Sequence, residues 1–201
     1  TVMWATDVLG DAYVDYSADG LNFKRIQATS RFFPTDETKL LNAFTQYSAQ
    51  LTGLSANSRY SYYPVVNGQT VGSGSSFVTS GSGTQFKFLT VGDTGWGSPE
   101  QGRIATRMNT DTAPGNAAFA LHVGDIAYGL KPYETAGGAY REYESRYFTY
   151  YRDMMGRIPF FTSLGNHDYG TENGSPYCAI HTHPTETVPS ADRGKIGRAH
   201  V

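Results

Sequence analysis

The sequence predicts a mostly β N-terminal sandwich followed by an α/β unit built on a parallel sheet. Three observations predict it. Residues 1–79 read as short alternating segments parted by turn signals. A small polar stretch, residues 80–85, then interrupts the chain. Beyond it, apolar strands alternate with helical segments in the order β-α-β-α-β, with a glycine after each strand.

Val2, Trp4 and Ala5 open the first strand, and Ala12 to Ser17 alternates as the second. Ala18-Asp19-Gly20 is a turn, and Leu21 to Thr29 is its partner strand. Phe44 to Leu51 alternates Phe44, Gln46 and Ser48 against Thr45, Tyr47 and Ala49. Arg59 to Val66 is a long aromatic strand, Asn67-Gly68 is a hairpin signal, and Val71 to Thr79 returns. Short strands separated by turns make a sandwich.

In the second part, Phe86 to Val91 is a strand and Pro99 to Met108 a helix with proline in its first turn. Ala117 to Val123 is almost wholly apolar, the pattern of a strand covered on both faces. Tyr140 to Arg157 carries aromatics at helical spacing, and Ile158 to Ser163 is the third strand.

Composition narrows the function. Lys and Arg number 16 against 18 Asp and Glu, for a formal net charge of -2, so there is no basic field for nucleic acid. No run approaches the roughly 18 apolar residues of a spanning helix. The single cysteine, Cys178, makes neither an intrachain disulfide nor a thiolate metal site.

Each apolar strand ends in a polar cluster: Gly92-Asp93-Thr94-Gly95, Gly124-Asp125-Ile126-Ala127-Tyr128 and Gly165-Asn166-His167-Asp168. An open parallel sheet binds ligands outside the carboxyl ends of its strands, so the three loops meet on one rim. Asp93 and Asp125 would repel one another there, and a hard cation relieves this. Carboxylate, phenolate, amide oxygen and imidazole suit iron, manganese, zinc or magnesium.

These three clusters resemble the first motif blocks of the calcineurin-like metallophosphoesterases. Tyr128, three residues after Asp125, is similar to the pattern of the purple acid phosphatases. Leu51-Thr52-Gly53-Leu54 with Tyr60 and Tyr62 resembles the late strands of the fibronectin type III-like domain that precedes their catalytic domain. The resemblance implies such a domain over residues 1–79, a linker over 80–85, and the first part of a metallophosphoesterase domain over 86–201. It implies Asp93, Asp125, Tyr128 and Asn166 as metal ligands and His167 as the catalytic contact to phosphate. The cofactor would be a dinuclear centre of Fe(III) with Zn, Mn or Fe(II). The reaction would be acid phosphatase hydrolysis of a small phosphate monoester by a metal-bridged hydroxide, in a secreted or periplasmic protein.

Two later family blocks, Val-x-x-His and Gly-His-x-His, do not occur. His181-Thr182-His183 has the internal spacing of the second but follows Ile180 rather than glycine. The chain therefore reads as a fragment, open at both ends and inactive by itself. Lys195 to Val201 resembles the translation of a sequencing adapter, which sets the tail from about residue 187 apart. The other readings are a phosphodiesterase or pyrophosphate hydrolase on the same metal rim, and a non-enzymatic binding or adhesion module. Trp96, beside the rim, serves equally as ligand wall or as packing.

Overall fold

The computed structural model describes residues 1–83, 85–112, 116–129 and 138–182. The N-terminal part is two antiparallel sheets. One is ordered β1-β5-β4, from Val2–Thr6, Phe44–Ala49 and Thr29–Phe33. The other is ordered β3-β2-β6-β7, from Lys24–Gln27, Ala12–Ser17, Arg59–Val66 and Gln69–Thr70, with β8 (Ser75–Val78) also on β6. Side chains alternate across a strand. In β5 it is Thr45, Tyr47 and Ala49 that are buried, which sets Val2 opposite Ala49 and Trp4 opposite Tyr47 on β1. Trp4 stacks on Tyr47 with ring centroids 5.3 Å apart.

The strand predicted from Leu21 to Thr29 is shorter, Lys24–Gln27, and β4 beyond it was not predicted. The Asp19 carboxylate accepts the backbone N–H groups of Leu21 and Asn22, which holds the chain in a wide turn until β3 begins at Lys24. After Ala28 donates to the Ala12 carbonyl, β4 crosses to the other sheet. The predicted return from Val71 to Thr79 is likewise shortened. Gly72 and Gly74 both take left-handed backbone (φ of 72° and 69°) that delays β8 to Ser75.

The second part is a parallel sheet ordered β11-β10-β9, from Phe160–Thr162, Phe119–His122 and Phe88–Val91. Helix α1 (Thr35–Thr38) lies back in the sandwich, between β4 and β5. Helix α2 (Pro99–Asp111) starts where the Ser98 hydroxyl accepts the Gln101 N–H, with Pro99 at the position that needs no donor. The single helix predicted from Tyr140 to Arg157 is three consecutive pieces. These are α3 (Gly138–Tyr143), one π-helical turn (Glu144–Phe148) and α4 (Thr149–Met155). Tyr143, Tyr147 and Tyr151 still share one face and are fully buried. Helices α5 (Asn166–Tyr169) and α6 (Ser175–Ile180) follow β11.

Met108 of α2, Tyr151 and Met154 of α4, and Ala120 of β10 share one core. The other face of the sheet departs from the predicted two-sided cover. Phe86, Phe88, Val123 and Phe161 are exposed there, because the helices and the sandwich pack against the opposite side. The sandwich joins that core through Phe33, which stacks on Phe44 at 4.5 Å and meets Tyr140 edge-on. Polar bonds fasten the contact: Tyr62 donates to the Gly156 carbonyl at 2.8 Å and Gln46 to that of Ile180 at 2.9 Å. Among the described residues no helix is long and apolar enough to cross a membrane.

Candidate functional site

The loops after β9, β10 and β11 meet at the carboxyl end of the sheet. Backbone bonds pin them: Asp93 N–H to the Gly124 carbonyl (3.1 Å), and Tyr128 N–H to the Gly95 carbonyl (2.9 Å). The approach is too close for side chains. A Cβ on Gly95 would lie 2.0 Å from the Ile126 carbonyl oxygen, and one on Gly165 would lie 2.1 Å from the Asp125 nitrogen. Asp93 and Asp125 both adopt left-handed backbone, with φ of 57° and 51°. Aspartate tolerates this better than most residues, at about 1 kcal/mol each, and such strain gathers where side chains must be aimed.

The aim is convergent. The Tyr128 hydroxyl donates to Asp93 Oδ1 at 3.0 Å and lies 3.3 Å from Asp125 Oδ2. Asp125 Oδ1 accepts the His167 backbone N–H at 2.9 Å. The His167 ring lies 4.4 Å from that of Tyr128, and Trp96 stacks on Tyr128 at 4.1 Å, nearly parallel to it. Asn166 stands exposed at the first position of α5. The structure thus brings Asp93, Asp125, Tyr128 and His167 into direct contact and places Asn166 beside them. Burial, then the two carboxylates, raise the Tyr128 phenol well above its ordinary pKa, so it keeps its proton as their donor.

Three groups outside the predicted site residues hold the rim from beneath. Asp168 is fully buried. Its carboxylate accepts the N–H groups of Ile126 (3.1 Å), Ala127 (3.4 Å) and Gly165 (3.0 Å) and the Tyr143 hydroxyl (3.2 Å). Burial raises its pKa against the pull of these bonds. A carboxylate three residues after a glycine N-cap was the available signal. Thr94 and His122 form a second tie, Oγ1 to Nε2 at 2.8 Å. His122 lies edge-on to Tyr147 and Tyr151, and burial lowers its pKa to about 4.

A pH dependence follows from His122. Its folded pKa, about 4, lies below the unfolded value of 6.5, so the unfolded chain takes the proton first. Stability should therefore fall as pH drops from roughly 6.5 to 4, by about 3 kcal/mol for this group. Urea unfolding across that range should show the slope, and His122→Phe should remove it. An unchanged slope in the variant would refute the assignment.

The dinuclear centre is not supported. Among the described residues no group of three or more His, Cys, Asp and Glu side chains could hold a metal ion. The physical reasons are on the rim itself. Both oxygens of Asp125 face donors of the protein, Tyr128 shares its proton with the carboxylates, and Asp168 points into the core. His122 is tied to Thr94, and His181 stacks on Tyr177 at 4.3 Å. This overturns the Fe(III) centre with Zn, Mn or Fe(II), and with it the metal-binding, acid phosphatase and metal-dependent phosphoric monoester hydrolase readings. The diesterase and pyrophosphate variants needed the same metals and fall too. His183 and the tail from about residue 187 lie outside the described residues.

Comparison with solved structures bears on the fold. Purple acid phosphatase PPD1 from yellow lupin (Lupinus luteus) seeds matches with a TM-score of 0.70 over 92% of this chain, at 16% sequence identity. The likeness is one of fold. The chain spans 38% of the length of the lupin protein. No family model and no curated protein matches the sequence.

Proposed function

We propose that the chain is a non-catalytic binding module built on the early part of a purple acid phosphatase-like fold. Residues 1–79 would form its fibronectin type III-like part, 80–85 the linker and 86–201 the start of the α/β domain, in an exported protein. The Tyr60 hydroxyl accepting the Ser55 N–H five residues upstream (3.0 Å) supports the first assignment, as a tyrosine corner does. The rim residues Asp93, Asp125, Tyr128, Asn166 and His167 carry the binding.

One observation carries this reading: two carboxylates converge on the rim and share a tyrosine proton. Such a pair repels a phosphate dianion. It accepts hydrogen bonds from hydroxyl groups instead, while the exposed Asn166 amide offers both a donor and an acceptor. An uncharged, hydroxyl-rich ligand, a carbohydrate, suits that set.

Titration with N-acetylglucosamine oligomers, followed by amide NMR shifts at Asn166 and His167, tests it. Binding is expected, and Asp93→Asn should weaken it about tenfold through loss of a charged acceptor. No shifts with the oligomers, or turnover of p-nitrophenyl phosphate by the purified chain, would refute the proposal.

A further inference from the structure

Beside the rim lies a second recess that the rim reading does not use. Trp96, Gly97, Arg141, Glu142, Ser145 and Arg146 line a cavity of about 430 Å³, a size that takes an aromatic molecule. Trp96 is 61% exposed and supplies a flat wall. Ser145 and Arg146 belong to the π-helical turn, a local distortion that is frequent at functional sites.

Arg146 is set in place before any ligand arrives. Its Nε pairs with Glu142 at 2.6 Å, and its Nη1 donates to the Tyr128 carbonyl at 2.6 Å. Its stem passes Gly97, where a Cβ would come within 3.4 Å of it, and its guanidinium passes Gly129, where a Cβ would lie 3.3 Å from Nη1. Its Nη2 is the donor in neither of these contacts. The side chain is 29% exposed, so that corner of the guanidinium is partly shielded from water. Arg141, which has a partner of its own, also lines the recess.

We propose that this recess binds a planar aromatic monoanion, stacked against Trp96 with its carboxylate on Arg146 and its edge near Ser145. A flat wall beside a fixed guanidinium is selective for that class. Stacking rewards a planar ring, and a guanidinium already fixed through Nε and Nη1 presents Nη2 to a carboxylate. A phosphate ester without a ring would also find Arg146, but it would gain little from Trp96, and its second negative charge would be repelled more strongly by Glu142.

Naphthalene-2-carboxylate is the test ligand and naphthalene-2-carboxamide its neutral twin, added to the 201-residue chain. Tryptophan quenching and amide NMR report the binding. The acid should bind, moving the amides of Gly97 and Ser145, and the amide should bind about tenfold more weakly. Arg146→Gln should erase that difference. Because Arg146 also holds the Tyr128 carbonyl, Trp96→Ala is the second variant and should weaken the acid about tenfold, its melting temperature falling only by the loss of the stack on Tyr128 and its amide spectrum staying that of the folded chain. Equal binding of acid and amide, full affinity in Trp96→Ala, or no binding at about 1 mM would overturn the proposal. So would acid-induced shifts confined to Asn166 and His167, which would place the ligand on the rim. Failure of the carbohydrate reading leaves these outcomes untouched.

Discussion

Asp168→Ala is expected to lower the unfolding free energy by about 4 kcal/mol, the largest loss for any single side chain near the rim. The carboxylate is the shared acceptor of three backbone N–H groups and one tyrosine hydroxyl, drawn from the β10 loop, the β11 loop and α3. Its removal leaves buried donors with no acceptor, and water cannot reach a position with no exposure. Asp168→Asn keeps one carbonyl oxygen and should lose about half as much. Urea denaturation gives the totals. Hydrogen exchange should speed up first at Ile126, Ala127 and Gly165. A change below about 1 kcal/mol in the alanine variant would mean that the loops are held by other means.

Gly95→Ala should cost about 3 kcal/mol or more, although it adds a single methyl group. That methyl would sit 2.0 Å from the Ile126 oxygen and 2.3 Å from the Ala127 Cα, and both are backbone atoms that cannot rotate away. The two loops must separate, and the Tyr128 N–H bond to the Gly95 carbonyl is strained with them. Gly20 is the control. It needs left-handed backbone at φ 73° but has nothing within 4 Å of an added Cβ, so Gly20→Ala should cost only about 1 kcal/mol. Thermal melts of the two variants side by side decide it, and equal losses would contradict the steric account.

Much of this architecture was legible in the residues. Arg59 to Val66, read as one long aromatic strand, is a strand over that range. Asn67-Gly68 marked the hairpin, and the three apolar segments ending in glycine and aspartate marked the parallel strands and their rim. The losses have local causes. A hydrophobic pattern does not register Asp19 taking two backbone donors, so the reading began β3 too early, and β4 was not read as a strand. Nor does a period near 3.6 register the extra residue of a π turn, because Tyr143, Tyr147 and Tyr151 keep their face through it. The rim residues were all legible, but their chemistry was not. Whether an aspartate faces a metal, a tyrosine proton or the backbone depends on angles that composition leaves open. Asp125 and Asp168, in similar glycine-led loops, turn opposite ways.

Phe33 belongs by sequence to a strand of the sandwich and by packing to the core beneath the parallel sheet. Tyr62 and Gln46 reach across the same boundary to the carbonyls of Gly156 and Ile180. Heat absorbed in opening one half must therefore be spent on the other as well. In a calorimeter the two architectures belong to one endotherm, and a cut between them would expose aromatic rings on both sides rather than release two finished domains.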